Sequence, residues 1–297
     1  MQKSSVEVFY PPKRGFKLII HVPSSIVNVE KGLLKKSFIT GLVGRACGIF
    51  RVDMIDIYVD PDSSLREAWF IKKILDYMST PSYLRRKLMP LDKDLRGVGV
   101  LPPLATPNQV SREMRSIRHF REGVVVEVKN DLVCIEAGLD KKKCVEYSRE
   151  ELGFLRVGDR VIAEVIDGEI LRIIPRERFL EKHYWVFETS ISSSLRESLD
   201  KYRSSVIVSS RKGVYLDNSV ARRIVELTDL GDLSIVFGSP DKDPDEIAEL
   251  EGWDLSSKSN LVINTAPLQG VRSIRTFEAL YITLSLINNI IYLSKRL

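Results

Sequence analysis

Apolar residues in the first third of the chain alternate between two spacings. Short continuous apolar runs at residues 17–22 and 56–60 are typical of strands buried on both faces of a sheet. Residues 33–49 and 65–78 instead place their apolar side chains at the 3.6-residue period of a helix. The order strand, helix, strand, helix predicts the beginning of an α/β domain with a parallel sheet.

The middle of the chain has a different pattern. After Leu95, a connector rich in glycine and proline continues to Pro107. Beyond it come five short segments of strand type with turn residues between them: 123–128, 132–137, 143–147, 160–166 and 170–174. Five short antiparallel strands without intervening helices predict a small barrel such as the OB-fold, an architecture that commonly binds nucleic acid strands.

The α/β pattern returns after residue 181. Further strands are predicted at residues 205–209, 233–237 and 261–264. Helices are predicted at residues 194–201, at 218–228, after the N-cap residue Asp243, and at 276–293. Because the strands before the barrel are too few to close a sheet alone, we expect a barrel inserted into one α/β domain. A barrel between two independent domains is the alternative.

These patterns predict the domain boundaries. The 297 residues suffice for one large or two modest domains, each with its own core. Residues 1–15 are polar and are expected to form a flexible N-terminal arm. Residues 96–179 form the inserted barrel, and residues 16–95 together with 180–297 form the α/β domain.

The composition excludes several classes of protein. Hydrophobic residues make up 44% and charged residues 29% of the chain, which excludes a disordered or collagen-like protein. The 45 Lys and Arg against 40 Asp and Glu give a net charge of only +5, so the overall charge identifies no partner. The most apolar stretch, residues 281–293, contains Asn288 and Asn289 and is shorter than the about 20 residues of a membrane span, so no membrane segment is expected. The N-terminal residues lack the apolar core of a secretory signal.

The cysteines and histidines give little support to disulfides or metal sites. Cys47, Cys134 and Cys144 are odd in number and lack CxxC spacing, which argues against a disulfide framework and a zinc cluster. The three histidines have no partner at ligand spacing, so we expect no metal site. These features favour a reducing compartment, the cytoplasm or, in a eukaryote, the nucleus.

Two loops that follow predicted strands carry polar residues where open parallel sheets bind ligands. The first is residues 237–240 (FGSP), which a plain tight turn would also explain. The second is residues 264–280, which combine a proline, a glycine and two arginines and are more polar than a turn requires. The motifs GxGxxG, GxxxxGK[ST] and GxSxG are absent, which argues against the usual dinucleotide, P-loop and serine hydrolase sites.

Together, LSIVFGSP at 233–240 and INTAPLQGVRSIRTFEAL at 263–280 resemble the second and third motifs of SPOUT-class RNA methyltransferases. The similarity is greatest to the archaeal and eukaryotic subgroup that carries an OB-like insertion in the catalytic domain. SSRKG at 209–213 and FREGVVVEV at 120–128 support the resemblance, which extends over nearly the whole chain from about residue 16.

The resemblance implies a deep trefoil knot, a topology that general folding rules would not propose. It also implies that S-adenosylmethionine binds inside the knot, held mostly by the backbone of three loops. On this chain the implied cofactor residues are Ser209, Ser210, Phe237, Gly238, Ser239, Asn264, Thr265, Ala266, Leu268, Gly270 and Ile274. The family often has a glycine shortly after the second motif, whereas Asp241, Lys242 and Asp243 follow here.

Three residues around the third motif are the predicted catalytic groups. Arg272 and Arg275 flank the turn expected to face the target base, where they would position it and stabilise developing negative charge. Glu278 would orient Arg275 or accept a proton. The alternative for Glu278 is a carboxylate that stabilises the first turn of a helix.

Basic residues concentrate around the predicted barrel, where they could contact RNA phosphates. The candidates are Arg85, Arg86, Lys87, Lys93 and Arg96 before it, Arg112, Arg115, Arg118 and Arg121 at its entrance, and Arg211 in the first cofactor loop. A solvated charged face is the alternative explanation.

The resemblance therefore predicts an S-adenosylmethionine-dependent methyltransferase that acts on a base of structured RNA, ribosomal RNA ahead of transfer RNA, with a pyrimidine N3 as the preferred acceptor. A homodimer is expected through the knot and the apolar C-terminal helix. One alternative is a non-catalytic RNA-binding or ribosome-assembly factor that retains the knot. A methyltransferase that acts on protein is a weaker alternative, because the OB-like insert and basic flanks favour RNA.

Overall fold

The computed structural model describes residues 10–110, 117–130, 132–146, 148, 150, 153 and 155–294. The chain forms two compact units, each made from separate parts of the sequence. The parallel-sheet unit comprises Gly15–Met78, Asp92–Leu104 and Phe187–Leu297. The antiparallel-sheet unit comprises Met1–Arg14, Ser79–Leu91 and Ala105–Val186.

The secondary structure elements follow in chain order. The strands are β1 (Leu18–Pro23), β2 (Met54–Tyr58), β3 (His119–Lys129), β4 (Leu132–Glu136), β5 (Lys143–Glu146), β6 (Arg160–Ile166), β7 (Glu169–Pro175), β8 (Glu188–Ser192), β9 (Ser204–Tyr215), β10 (Asp232–Phe237) and β11 (Leu261–Asn264). The α-helices are α1 (Leu33–Ile49), α2 (Leu65–Ser79), α3 (Ser82–Leu88), α4 (Arg176–Leu180), α5 (Leu195–Asp200), α6 (Asn218–Asp229), α7 (Pro244–Leu250) and α8 (Thr276–Ser294).

Six strands form a parallel sheet in the order β11-β9-β10-β1-β2-β8. The mixed α/β class with a parallel sheet is confirmed. The strand β1 is buried at every position, and β2 and β10 are buried at every position but the first, as the continuous apolar runs predicted. The edge strand β8 was missed because its sequence, ETSIS, has no apolar run.

The connections of this sheet reverse direction at its centre. From β1 the chain proceeds to β2, whereas from β10 it proceeds in the opposite direction to β11. The loops that leave the neighbouring strands β1 and β10 therefore diverge, and such a switch point leaves a crevice at the carboxyl ends of the strands.

One strand of the sheet leaves its partner for five residues. Val208 of β9 pairs with Val262 of β11, but the next pair joins Val214 to Ile263, so residues 209–213 bulge out of this ladder. At Gly213 an added Cβ would lie 2.4 Å from the backbone carbonyl carbon of Ile263. The return of β9 to the ladder therefore requires glycine at this position.

The antiparallel-sheet unit contains five strands in the order β5-β4-β3-β6-β7. The five antiparallel strands predicted for the middle of the chain are confirmed. Valine and isoleucine side chains from four of these strands form its core, among them Val125, Ile135 and Val161. Lys143 of the edge strand β5 forms an ion pair with Glu169 of the opposite edge strand β7, so the sheet curls strongly.

A disulfide joins Cys134 and Cys144, which lie directly opposite each other on β4 and β5. The expectation against disulfides was wrong for this pair. The two cysteines are 10 residues apart and are brought together by a hairpin, which neither the odd cysteine count nor the lack of CxxC spacing reveals. Cys47 is free and buried.

The N-terminal segment and the unit boundaries differ in detail from the sequence patterns. Residues 1–9 of the predicted flexible arm lie outside the described residues. Tyr10 packs in the antiparallel-sheet unit, where its hydroxyl accepts the N–H of Phe120 at 2.8 Å. The unit also includes residues 79–91, with α3, while residues 92–104 belong to the parallel-sheet unit. The functional domains at 1–15, 16–95 with 180–297, and 96–179 stay a prediction.

The helix α8 passes the length and composition test for a membrane span. The apolar stretch at residues 281–293 is shorter than a span requires, so the sequence pattern predicts no membrane segment there. One such helix is weak evidence, because core helices of soluble proteins pass the same test. In this structure Leu280, Leu284, Ile287 and Ile291 of α8 are buried.

Candidate cofactor and RNA site

A cavity of about 320 Å³ lies at the carboxyl end of the parallel sheet. Three loops and the start of α8 form its wall. The lining residues are Ser209, Ser210 and Arg211 from the β9 bulge, Phe237–Asp243 after β10, Asn264–Ala266, Gln269 and Arg272–Ile274 after β11, and Thr276, Ala279 and Ile282 of α8.

The loop after β10 is fixed by hydrogen bonds to its carbonyl groups. The buried hydroxyl of Tyr58 donates to the carbonyl of Phe237 at 2.6 Å. Thr276 at the start of α8 donates to the carbonyl of Gly238 at 3.2 Å. An added Cβ at Gly238 would lie 2.5 Å from the carbonyl oxygen of Lys242, so the tight turn requires glycine. The backbone that faces the cavity is thereby held in one conformation.

The loop after β11 is tied to the β9 bulge. The Asn264 side chain donates to the carbonyl of Arg211 at 3.0 Å and accepts the N–H of Ala266 at 3.0 Å. The hydroxyl of Thr283 on α8 lies 2.8 Å from that of Thr265 and 3.2 Å from that of Ser209. One asparagine and one threonine thus join the first and third motif segments.

Ion pairs neutralise several of the charges at this end of the sheet. The Arg211 guanidinium lies 3.3 Å from the Asp243 carboxylate, and Lys242 pairs with Asp62. The Asp62 carboxylate raises the pKa of Lys242. Asp241 and Arg272 also line the cavity, and neither has an ion-pair partner in the described part of the chain. Among the described residues, the Asp241 carboxylate and the Arg272 guanidinium are therefore charged groups of the cavity wall that no ion pair neutralises.

Nine of the eleven predicted cofactor residues line this cavity. They are Ser209, Ser210, Phe237, Gly238, Ser239, Asn264, Thr265, Ala266 and Ile274. Leu268 and Gly270 do not line it, and Leu268 is 96% exposed with a φ of 55°. The sequence did not identify the contributions of Gln269, Ser273 and α8, since no motif marks the first turns of a helix as part of a binding site. Cofactor contact by these residues stays a prediction.

The predicted catalytic residues are separated. Arg272 lines the cavity, whereas Arg275 and Glu278 are not part of its wall. The Arg275 guanidinium donates to Glu30 at 3.0 Å, and this hydrogen bond, together with Lys35, lowers the pKa of Glu30. The Glu278 carboxylate accepts the backbone N–H of Arg275 at 2.8 Å, as a helix N3 residue does when it caps the helix. The structure therefore favours the helix-stabilising alternative for Glu278.

The predicted RNA contacts have diverse environments. Arg112 and Arg115 lie outside the described residues. Arg86 and Arg96 are exposed, and so is Arg211, which pairs with Asp243. Arg85 donates to the carbonyl of Thr80 at 3.1 Å. Lys87 lies 3.7 Å from Glu136, and Arg118 pairs with Glu164.

Phosphate contact by Arg121 stays a prediction, and the structure places this side chain in a mostly buried position. It is only 7% exposed. Its guanidinium donates to the carbonyl of Ala137 at 2.7 Å and lies 4.6 Å from the centre of the Tyr83 ring. Its spacing in the arginine row suggested a surface position, but β3 turns this side chain inward.

Among the described residues, no three His, Cys, Asp or Glu side chains group together as metal ligands.

Comparisons with known proteins identify the family. The family model described as "Putative RNA methyltransferase" matches residues 17–287. An uncharacterised protein of Haloarcula marismortui is 27% identical over 276 residues, which cover 89% of this chain and 96% of that protein. A human protein named 28S rRNA (uridine-N(3))-methyltransferase is 26% identical over 302 residues, which cover 92% of this chain and 78% of the human protein. A Drosophila melanogaster protein of the same name is 25% identical over 316 residues, 90% of this chain and 61% of the fly protein.

The family match extends from the start of β1 into α8, and so includes the loops around the cavity and the whole antiparallel sheet. It confirms the resemblance to RNA methyltransferases that the motifs at residues 233–240 and 263–280 indicated. The chain therefore belongs to this RNA methyltransferase family.

Proposed function

We propose that this protein transfers a methyl group from S-adenosylmethionine to N3 of a uridine in ribosomal RNA of the large subunit. The observation that carries the proposal is the family match over residues 17–287, together with the cavity in which the three motif segments meet. The human and fly relatives carry names that specify this acceptor atom and this class of RNA. The reaction would take place in the cytoplasm or, in a eukaryote, in the nucleus.

The cavity fits S-adenosylmethionine in size and chemistry. Its volume of about 320 Å³ lies in the range of small-molecule sites. Phe237, Ile274 and Ile282 offer apolar contacts for a nucleobase, while serine and threonine hydroxyls can bind a ribose. When bound, S-adenosylmethionine supplies an electrophilic methyl group on a sulfonium centre.

The protein's own residues would act mainly by positioning. The carbonyl groups fixed by Tyr58 and Thr276 present a rigid backbone surface, which lowers the entropy cost of orientation. Arg272 would stabilise negative charge that develops on the target base. Arg275 would need to leave Glu30 before it could contact the base.

We also propose a trefoil knot around the cavity and an OB-like barrel in the antiparallel-sheet unit. The knot is supported by the motif segments that border the cavity and by the strand order. Because β9 lies between β10 and β11 in the sheet, the connection from β10 to β11 must cross β9. The barrel is supported by the five-strand order and by the ion pair between the edge strands. RNA binding would follow from exposed basic residues such as Arg86 and Arg96.

A homodimer completes the proposal. The C-terminal helix α8 has Tyr292 and Leu293 50% and 57% exposed, although its other face is buried. Leu268 and Val271 in the third motif loop are also exposed apolar residues. A second copy of the chain would cover this surface.

A non-catalytic RNA-binding or assembly factor is the second candidate. It is favoured by the positions of Arg275 and Glu278, since one is held by Glu30 and the other caps α8. Such a factor would bind RNA without transferring methyl groups.

Two measurements on the purified protein separate these candidates. Titration calorimetry measures the binding of S-adenosylmethionine, and radiolabelled cofactor measures methyl transfer to an unmodified transcript of large-subunit ribosomal RNA. We expect cofactor binding and label incorporated as 3-methyluridine. Cofactor or RNA binding without any transfer would favour the assembly factor, and transfer to an atom other than uridine N3 would refute the proposed acceptor.

A further inference from the structure

A second, smaller hollow of about 130 Å³ lies beside the cofactor cavity in the parallel-sheet unit. Its wall is formed by Ser25, Asn28 and Val29 after β1, by Asp62 after β2, and by Ser239, Pro240 and Asp241 after β10. Residues 239–241 also line the cofactor cavity. The two spaces are therefore neighbours that share one segment of wall.

The position of the hollow coincides with the switch point of the sheet. Its wall comes from the diverging loops after β1 and β10, where the connections of the sheet run in opposite directions. In open parallel sheets this crevice binds ligands. The cofactor cavity lies on the β9 and β11 side of the crevice, so the hollow is the space left on the β1 and β2 side.

The size of the hollow suits part of a substrate. At about 130 Å³ against about 320 Å³ for the cofactor cavity, it has room for a single planar ring and not for a whole nucleoside cofactor. A methyl acceptor that is a nucleobase needs such a space next to the methyl donor, because reacting atoms must approach within about 3–3.5 Å.

The carboxylates around the shared wall differ in their availability. Asp62 is paired with Lys242, and Asp243 is paired with Arg211. Asp60 is 2% exposed and accepts the N–H of Ser25 at 2.9 Å. Asp241 is exposed, borders both spaces, and has no hydrogen-bond or ion-pair partner among the described residues.

We propose that the hollow receives the pyrimidine acceptor and that Asp241 accepts its N–H proton. This inference rests on the proposed methylation of uridine N3. The N3 proton moves to the Asp241 carboxylate, and the electron pair that it leaves forms the bond from nitrogen to the methyl carbon. The carbon–sulfur bond breaks at the same time, and the sulfur keeps its electron pair. Asp241 is thereby assigned as the general base of the transfer.

The first test compares Asp241→Asn, Asp241→Glu and the control Glu249→Gln. Glu249 is an exposed carboxylate on α7 that lines neither space. The assay is single-turnover methyl transfer to a large-subunit ribosomal RNA transcript at saturating S-adenosylmethionine, from neutral to alkaline pH. We expect Asp241→Asn to be slower by about 10²-fold or more at neutral pH, since general bases contribute about 10²–10⁴-fold. The defect should shrink as pH rises, because the acceptor N–H then loses its proton to the solvent and no longer needs the Asp241 carboxylate. Asp241→Glu should retain part of the rate, and Glu249→Gln all of it.

The second test does not depend on activity. The same transcript is prepared with 4-thiouridine and irradiated in complex with the wild-type protein and S-adenosylhomocysteine, and crosslinked peptides are mapped by mass spectrometry. We expect crosslinks to the segment that contains Asn28 and Val29. Calorimetry should show that Asp241→Asn binds S-adenosylmethionine within about threefold of the wild type, a difference of under about 0.7 kcal/mol.

The outcomes separate this inference from the proposed function. If the wild type methylates RNA but Asp241→Asn does so at the same rate, or with a defect that is independent of pH, the role of Asp241 is refuted. Crosslinks confined to other segments refute the hollow as the acceptor site. If the wild type binds S-adenosylmethionine and transfers no methyl group to any RNA, the proposed function itself fails.

Discussion

A buried histidine at the centre of the parallel sheet shows how single residues constrain the fold. His21 is fully buried, and its ring nitrogens lie 2.6 Å from the Ser198 hydroxyl and 2.8 Å from the Ser234 hydroxyl. The Ser198 hydroxyl donates in turn to Asp56, which also binds Lys201. Burial lowers the pKa of His21 to about 4, although the nearby Asp56 opposes the shift.

This shift predicts a pH-dependent stability. An unfolded histidine takes up its proton near pH 6.5, before the folded His21 does, so the stabilisation is complete above about pH 6.5 and is lost as the pH falls toward about 4. Between about pH 7 and about pH 5 we expect the free energy of unfolding to fall by about 2 kcal/mol from this group. Urea denaturation at both pH values measures it. The variant His21→Asn should be less stable at neutral pH and should lose less on acidification. An equal loss in both proteins would contradict the assignment.

Glu278 provides a second prediction at the residue scale. Its contact with the Arg275 N–H is one that glutamine also makes in a capping box. We expect Glu278→Gln to retain stability and methyl transfer. Glu278→Ala should lower the free energy of unfolding by about 0.5–2 kcal/mol, the usual effect of losing a cap. Thermal denaturation measures the stability of each variant, and the transfer assay measures its methyl transfer. An inactive but fully stable Glu278→Gln variant would restore the catalytic role.

At the scale of elements, most of the fold could be predicted from local patterns. The apolar runs of β1 and β10 and the period of α1 and α8 identified these elements because burial imposes a regular spacing. The strand β8 and the short basic helix α3 lack that spacing, and both were missed. The inward position of Arg121 and the pairing of Arg275 with Glu30 depend on residues distant in sequence, so no local pattern could show them.

The bulge of β9 contributes Ser209, Ser210 and Arg211 to the wall of the cavity. Residues 209–213 leave the β11 ladder there, and Gly213 returns against the backbone of Ile263. We expect Gly213→Ala to destabilise the protein by about 1–3 kcal/mol through overpacking and to weaken the binding of S-adenosylmethionine. Denaturation and calorimetry measure these effects. The control is Gly99→Ala, because an added Cβ at Gly99 meets no atom within 4 Å. Equal behaviour of the two variants would contradict the close approach at Gly213.

At the scale of the whole molecule, the modest net charge of +5 conceals local differences. Carboxylates neutralise several of the basic residues around the cavity, while Arg272 is left without an ion-pair partner in the described ranges. The barrel and the division into domains were predicted from the pattern of apolar segments along the chain. The knot depends on how the chain threads, so the family resemblance suggested it and hydrophobic patterning alone would not have done so.

The proposed homodimer is a prediction about the whole molecule. Light scattering at micromolar concentration should give twice the chain mass of 33.8 kDa. Replacing the exposed Tyr292 and Leu293 of α8 by serine should shift the mass toward that of the monomer, since both would lose apolar contact. The matched control is Leu250→Ser on α7, because Leu250 is a 60% exposed apolar residue on a different helix from the proposed interface. A monomeric wild-type protein would contradict the prediction.

The central claim is that this chain methylates uridine N3 in ribosomal RNA of the large subunit. The most direct measurement is mass spectrometry of the modified nucleosides of that RNA, isolated from cells with and without the gene. The account predicts that 3-methyluridine is lost or reduced without the gene and restored by the wild-type gene, while other methylated nucleosides are unchanged. An identical nucleoside profile in both cells would contradict it.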